Sequence, residues 1–201
     1  MTAAAQTPAL LAADAALSAL GPQPFPLPLG PLAPAVAGAF SAMSRGDWAF
    51  AGPRGRVGAT LRGASPERLV DPIAGARPYK LAPVSDAPGS RALHAVGAAL
   101  ASKRPTLCLL GPASVASGAF HEALNVGALT GAPAVFVLLL QEITDDAPVG
   151  RQLAADPVAL AAAHGWHTRS ANPTENDVHD AVTAARDAGG PALVCVRIPR
   201  A

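Results

Sequence analysis

The residues able to do chemistry fall into a few groups along the chain. Arg54, Arg56 and Arg62 belong to an Arg/Gly stretch beginning Gly52-Pro-Arg-Gly-Arg-Val-Gly58. Together they can form an anion pocket, or remain a solvated basic loop, which is the expectation here. Gly111–Gly118 is a small-residue turn leading into a helix, a geometry whose backbone N–H groups can hold phosphate. It matches neither a Walker A loop nor a dinucleotide fingerprint. Ser114 and Ser117 lie in this turn without a G-x-S-x-G elbow, so a structural role is expected. His121 and Asn125 share one helix face at i,i+4, suited to packing or to joint contact with a ligand. His164 and His167 invite a metal, but Gly165 ends the helix between them and no acidic third ligand follows at sensible spacing. Asp145-Asp146 stand beyond a strand end, where a replacement metal or a solvated turn fits.

Composition narrows the classes. The 201 residues carry a net charge of +1, which excludes a strongly electrostatic nucleic-acid or membrane-surface protein. Charged residues make up 14% of the chain, against roughly 25% in an average soluble domain. Alanine occurs 48 times and aromatics are only 4%, so much of the apolar content is small. Base-composition bias or a surface covered by another chain explains such a balance. Cys108 and Cys195 sit in apolar runs and read as reduced core thiols rather than a disulfide framework. Asp14 interrupts the only apolar stretch near the start, so no signal peptide is expected, and no run has the length of a membrane span. The expected location is cytoplasmic.

The elements that must position these residues follow from pattern. Residues 1–20 read as an Ala/Leu helix, and Pro22–Pro34, with six prolines, as an extended tether. This suggests two parts, 1–34 and an α/β domain over 35–201. A short helix is expected over 35–43, a strand over Trp48–Ala51, a helix start at Ser65-Pro66, an irregular connection over 73–90 and a helix over 91–102. Thr106–Leu110, Ala134–Leu140, Trp166–Ser170 and Ala192–Ile198 read as strands. Helices are expected over Gly118–Thr130, from Asp156-Pro157 to Gly165, and from Asn172-Pro173 to Gly189, with Asn172 as cap. That alternation predicts a parallel sheet covered on both faces, an α/β three-layer sandwich. Ligands then bind beyond the strand carboxyl ends, at Gly111–Gly118 and Gln141–Gly150.

The run Gly111-Pro-Ala-Ser-Val-Ala-Ser-Gly-Ala-Phe-His-Glu-Ala-Leu-Asn125, followed by Ala132-Pro-Ala-Val-Phe-Val137, resembles the alpha subunit of thiamine-diphosphate-dependent 2-oxo acid dehydrogenases. There the stretch reads roughly G-D-G-A-x-x-x-G-x-F-H-E-A-L-N, then L-P-V-V-F-V-x-x-N-N. The likeness extends back through Gly46-Asp-Trp-Ala-Phe50, Arg54 and Pro66-Glu67-Arg-Leu to Leu29-Gly30, and forward to Pro191-Ala-Leu-Val. It implies a thiamine-diphosphate-binding fold and a beta-type partner, with the cofactor between the two chains.

The resemblance also implies where a cofactor would sit, and there this chain departs. The family's magnesium ligands, the aspartate of G-D-G and the second asparagine of N-N, correspond to Pro112 and Gln141. Magnesium demands hard oxygen ligands in near-octahedral geometry, and proline offers no side-chain oxygen. The second glycine of the motif is Ala113, the family's Tyr-Arg pair appears as Pro53-Arg54, and its following histidine as Arg56. The family's glycine-rich G-K-G-G-S-M-H segment has no counterpart in residues 73–90, and its Gly-His-Ser loop, beyond the last matching strand, is not among these residues. Arg54, Gly111, Ala113, Ser114 and Gln141 are therefore read as vestigial cofactor-binding positions, with no catalytic residue and no metal site.

The expectation is a catalytically degenerate alpha-like subunit, not an enzyme on its own, without a bound cofactor. It would act through contacts with a beta-type subunit or with copies of itself, and not with nucleic acid or membrane. One alternative is an active thiamine-diphosphate- and magnesium-dependent dehydrogenase component completed by its partner. A second is a small-molecule or nucleotide sensor using the remodelled cleft.

Overall fold

The structure, a computed structural model, describes residues 5–21, 28–84, 87, 89–141 and 149–199. Five strands, β1 (Ala49–Phe50), β2 (Thr106–Leu110), β3 (Ala134–Gln141), β4 (His167–Ala171) and β5 (Ala192–Ile198), form one sheet in the order β1-β2-β3-β5-β4. Every pairing is parallel. The three central strands β2, β3 and β5 are apolar almost without interruption, as burial on both faces requires.

The nine helices of the described residues are α1 (Thr7–Ala19), α2 (Ala33–Ala42), α3 (Gly52–Gly55), α4 (Ser90–Ser102), α5 (Pro112–Val115), α6 (Gly118–Thr130), α7 (Val149–Gln152), α8 (Pro157–Ala163) and α9 (Glu175–Asp187). Alternate strand residues feed two separate cores. Leu107, Val135, Val137 and Val194 pack with Val36 and Phe40 of α2 and Val178 and Val182 of α9. Cys108, Phe136, Leu138 and Leu193 pack with Val96 of α4 and with Phe120 and Leu124 of α6. Helix layer, sheet and helix layer make the three-layer sandwich that the alternation predicts.

Local chemistry fixes the element ends. Ser117 caps α6 by accepting the Phe120 N–H at 3.3 Å, and Gly131, at φ 62°, ends it in the left-handed conformation glycine tolerates. The Asp156 carboxylate caps α8 through the N–H groups of Val158 and Ala159. Trp166 donates its indole N–H to the Leu124 carbonyl at 2.8 Å while its ring packs on Phe136. This ties the segment before β4 to α6.

Three local expectations need correction. The extended tether does not reach Pro34: Gly30–Leu32 is a 3-10 turn and Pro34 lies in the first turn of α2, where its missing N–H costs no hydrogen bond. Residues 22–27 lie outside the described residues. The Arg/Gly stretch is helical throughout, as α3 followed by a 3-10 segment over Arg56–Arg62. The cap of α9 is Thr174, not Asn172, with its hydroxyl accepting the Asp177 N–H at 3.2 Å. Asn172 instead bonds the Asp177 carboxylate.

Helix α1 packs its buried Leu10 and Leu17 into the first core, against α2 and the Arg56–Arg62 segment. Its start is capped from elsewhere in the chain, by the Glu175 carboxylate. Among the described residues no helix is long and apolar enough to cross a membrane.

Candidate functional site

A cavity of about 420 Å³ opens beyond the carboxyl ends of β2 and β3. Helix α3, following β1, brings in Pro53, Arg54 and Gly55, and α5, following β2, supplies Pro112, Ala113 and Ser114. Leu32, Val36, Leu109 and Leu139 form an apolar wall. Arg54, Gly111, Ala113, Ser114 and Gln141, scattered over 88 positions of sequence, all line this one space, as does Pro112.

Most donors of Arg54 are occupied. Its Nε and Nη2 bond the Pro28 carbonyl at 3.2 and 3.0 Å, and its Nη1 reaches Gln141 Oε1 at 3.3 Å. Desolvation lowers its pKa from the usual arginine value, with Asp14 pulling it back up. Arg56 and Arg62 turn away from the cavity, which overturns both the shared anion pocket and the solvated loop. Both are buried. Arg56 donates to the carbonyls of Leu69 and Pro53. Arg62 donates to the carbonyls of Asp47 and Tyr79 and lies over the Phe40 ring, and burial brings its pKa down to about 10 despite Asp47.

The sequence reading missed Arg91. It stands in the first turn of α4, lines the cavity, and holds Nη2 at 3.5 Å from Ser114 Oγ. Gly52, at φ 69°, admits it, since a Cβ there would overlap Arg91 Nη1. The available signal was its place: a cation at a helix N-terminus opposes the helix dipole, so another interaction must favour it. Gln152 of α7, also missed, lines the same space.

The remaining candidates disperse. His121 is exposed and Asn125 half-buried on α6. Ser117 serves as a cap, its hydroxyl donating to the Ser114 carbonyl at 2.6 Å. Among the described residues no group of three or more His, Cys, Asp or Glu can hold a metal. Asp145 and Asp146 lie outside the described residues.

Among the described residues the donor set does not fit a magnesium ion. Pro112 offers none of its side-chain atoms as a ligand, and Gln141 Oε1 already accepts from a guanidinium. The described lining carries two cations and no carboxylate, the opposite of what a hard divalent cation requires. Arrangement and charge favour an anion.

An all-parallel sheet of this order, covered on both faces and with a cleft at its carboxyl ends, is the architecture of transketolase-like thiamine-diphosphate-binding folds. The transketolase of Campylobacter jejuni superposes with a TM-score of 0.73 at 18% identity, over 96% of this chain and 37% of that one. A Mycobacterium smegmatis protein described as thiamin diphosphate-dependent superposes with a TM-score of 0.50 at 26% identity, over 61% of this chain and 25% of that one. In sequence, the chain is 35% identical over 125 residues to the alpha subunit of 3-methyl-2-oxobutanoate dehydrogenase from Mycobacterium tuberculosis. That match takes in 56% of this chain and 34% of the relative, so the chain spans about a third of the length of the curated relatives it matches. No family model matches the chain.

Proposed function

We propose that this chain is a non-catalytic, alpha-subunit-like protein that works through contacts with other subunits, a beta-type dehydrogenase subunit in the first place. The observation that carries the reading is the charge of the cleft. Pro112 stands where the family has the aspartate ligand of the metal, and Arg91 adds a second guanidinium to the family-matched Arg54 on the same cavity. With a ligand oxygen missing and two guanidinium groups on the same cavity, the site disfavours a divalent cation. The contacts are supported by the relative's description as a subunit, and by a surface that spends few charges on solvation.

Two measurements test the proposal. Calorimetry with thiamine diphosphate and magnesium, on the protein alone and co-expressed with a beta-type subunit, is expected to show no saturable binding. Micromolar, magnesium-dependent binding would make the chain an active component and overturn the reading. Light scattering on the co-expressed pair is expected to show a species larger than this chain alone. A monomer under both conditions removes the subunit role.

A further inference from the structure

We infer that the cavity beyond β2 and β3 is a metal-independent site for a small phosphate monoester, its head paired with Arg91 and its apolar body against the Leu32, Val36, Leu109 and Leu139 wall. The inference takes from the proposed function only the absence of metal, and goes on to name an occupant.

Arg91 carries it. Its guanidinium is half-buried, and the described cavity lining offers it a serine hydroxyl at 3.5 Å and no carboxylate. Desolvation lowers its pKa, and among the described residues the charge that opposes this is the thiol of Cys108. That thiol is fully buried and pushed up to about 12, so at neutral pH it is protonated and supplies no negative charge. A partly desolvated cation without a counter-ion is costly unless something anionic joins it. The surrounding backbone keeps it there: Gly52 leaves open the space that Nη1 occupies. Arg54, on the same cavity, adds a second positive charge, which favours a doubly charged head over a carboxylate. The volume of about 420 Å³ and the leucine and valine wall suit a body of six to ten heavy atoms, on the order of a substituted ring.

The test uses phenyl phosphate as probe, titrated calorimetrically into the full chain in EDTA, with phenylacetate and benzyl alcohol alongside. Saturable binding of phenyl phosphate that EDTA leaves unchanged, and at least about tenfold weaker binding by phenylacetate, is the expected result. Arg91→Gln is expected to weaken phenyl phosphate at least about tenfold, with Arg91→Lys restoring part of it, while both variants melt no lower than the parent. No saturable binding, binding that requires magnesium, equal binding of phenylacetate, or indifference to Arg91→Gln would each overturn the inference. Failure to bind phenyl phosphate leaves the proposed function standing. Magnesium-dependent binding of thiamine diphosphate, by contrast, overturns that function and is read in a separate titration.

Discussion

Gly38 of α2 and Glu175 of α9 meet backbone to backbone. A Cβ at Gly38 would overlap the Glu175 carbonyl oxygen and approach His179 N to 2.9 Å. The two helices can lie this close on one face of the sheet only because position 38 has no side chain. Gly38→Ala is therefore expected to destabilise the fold by about 2 kcal/mol, since backbone cannot move aside as a flexible side chain can. Urea denaturation measures it; an unchanged midpoint would mean that the helices separate freely.

Gly97 provides the opposite case. It sits in the exposed interior of α4 with nothing within 4 Å of an added Cβ. Gly97→Ala is expected to raise stability by about 0.5–1 kcal/mol through helix propensity and the lower entropy of the unfolded chain.

Glu175 also gives the fold a pH-dependent element. Its carboxylate takes the N–H of Gln6 at 2.7 Å and both the N–H and hydroxyl of Thr7, at 2.8 and 2.6 Å. Desolvation pulls its pKa upward, but the Thr7 hydroxyl, the two N–H groups and His179 outweigh it, and the net shift is downward. A lowered folded-state pKa means that this contribution is fully present above the unfolded glutamate value of about 4.3 and is lost as pH falls through the folded one. Glu175→Gln should cost about 1 kcal/mol at pH 7, as removal of a helix cap does, and the difference from the parent should shrink below pH 4. A difference constant with pH would remove the carboxylate from the account.

The thiols should be inert in the folded protein. Burial raises the pKa of Cys108 to about 12 and raises that of Cys195 as well. A thiol reagent at pH 8 is expected to label neither until denaturant is added, and then both. Fast labelling of one in native buffer would place it in a more open setting than its packing indicates.

Restoring ligands alone should not restore a metal. Pro112→Asp with Gln141→Asn supplies oxygen donors but leaves Arg54 and Arg91 on the cavity. The double variant is expected to show no saturable magnesium binding, and adding Arg91→Gln to improve it. Magnesium binding by the double variant alone would show that the guanidinium charges do not decide the site.

The extent of the sequence's legibility follows from what each element depends on. Strands β2 and β5 and helix α6 match their expected bounds, because a continuous apolar run or a Ser cap and Gly stop carries its own limits. Arg56 and Arg62 defeated the same reading. They donate to carbonyl oxygens of Leu69, Pro53, Asp47 and Tyr79, acceptors that every residue possesses and no pattern displays, while Nε and Nη2 of Arg62 are buried without a hydrogen-bond partner among the described residues. Arg54, Pro112 and Gln141 were legible through motif spacing, whereas Arg91, 37 positions beyond Arg54, belongs to no motif. Its place at a helix N-terminus hints at a partner, and the three-dimensional approach of Gly52 brings it to the cavity.

The cap on α1 sets an order of events in synthesis. Thr7 leaves the ribosome 168 residues before the carboxylate that will complete its helix. Until Glu175 has been translated and α9 has docked, the first helix lacks this cap, and an isolated helix of 13 residues is marginal in water. A helix made well before α9 is thus secured only after it, and until then its uncapped end is open to a chaperone on the nascent chain.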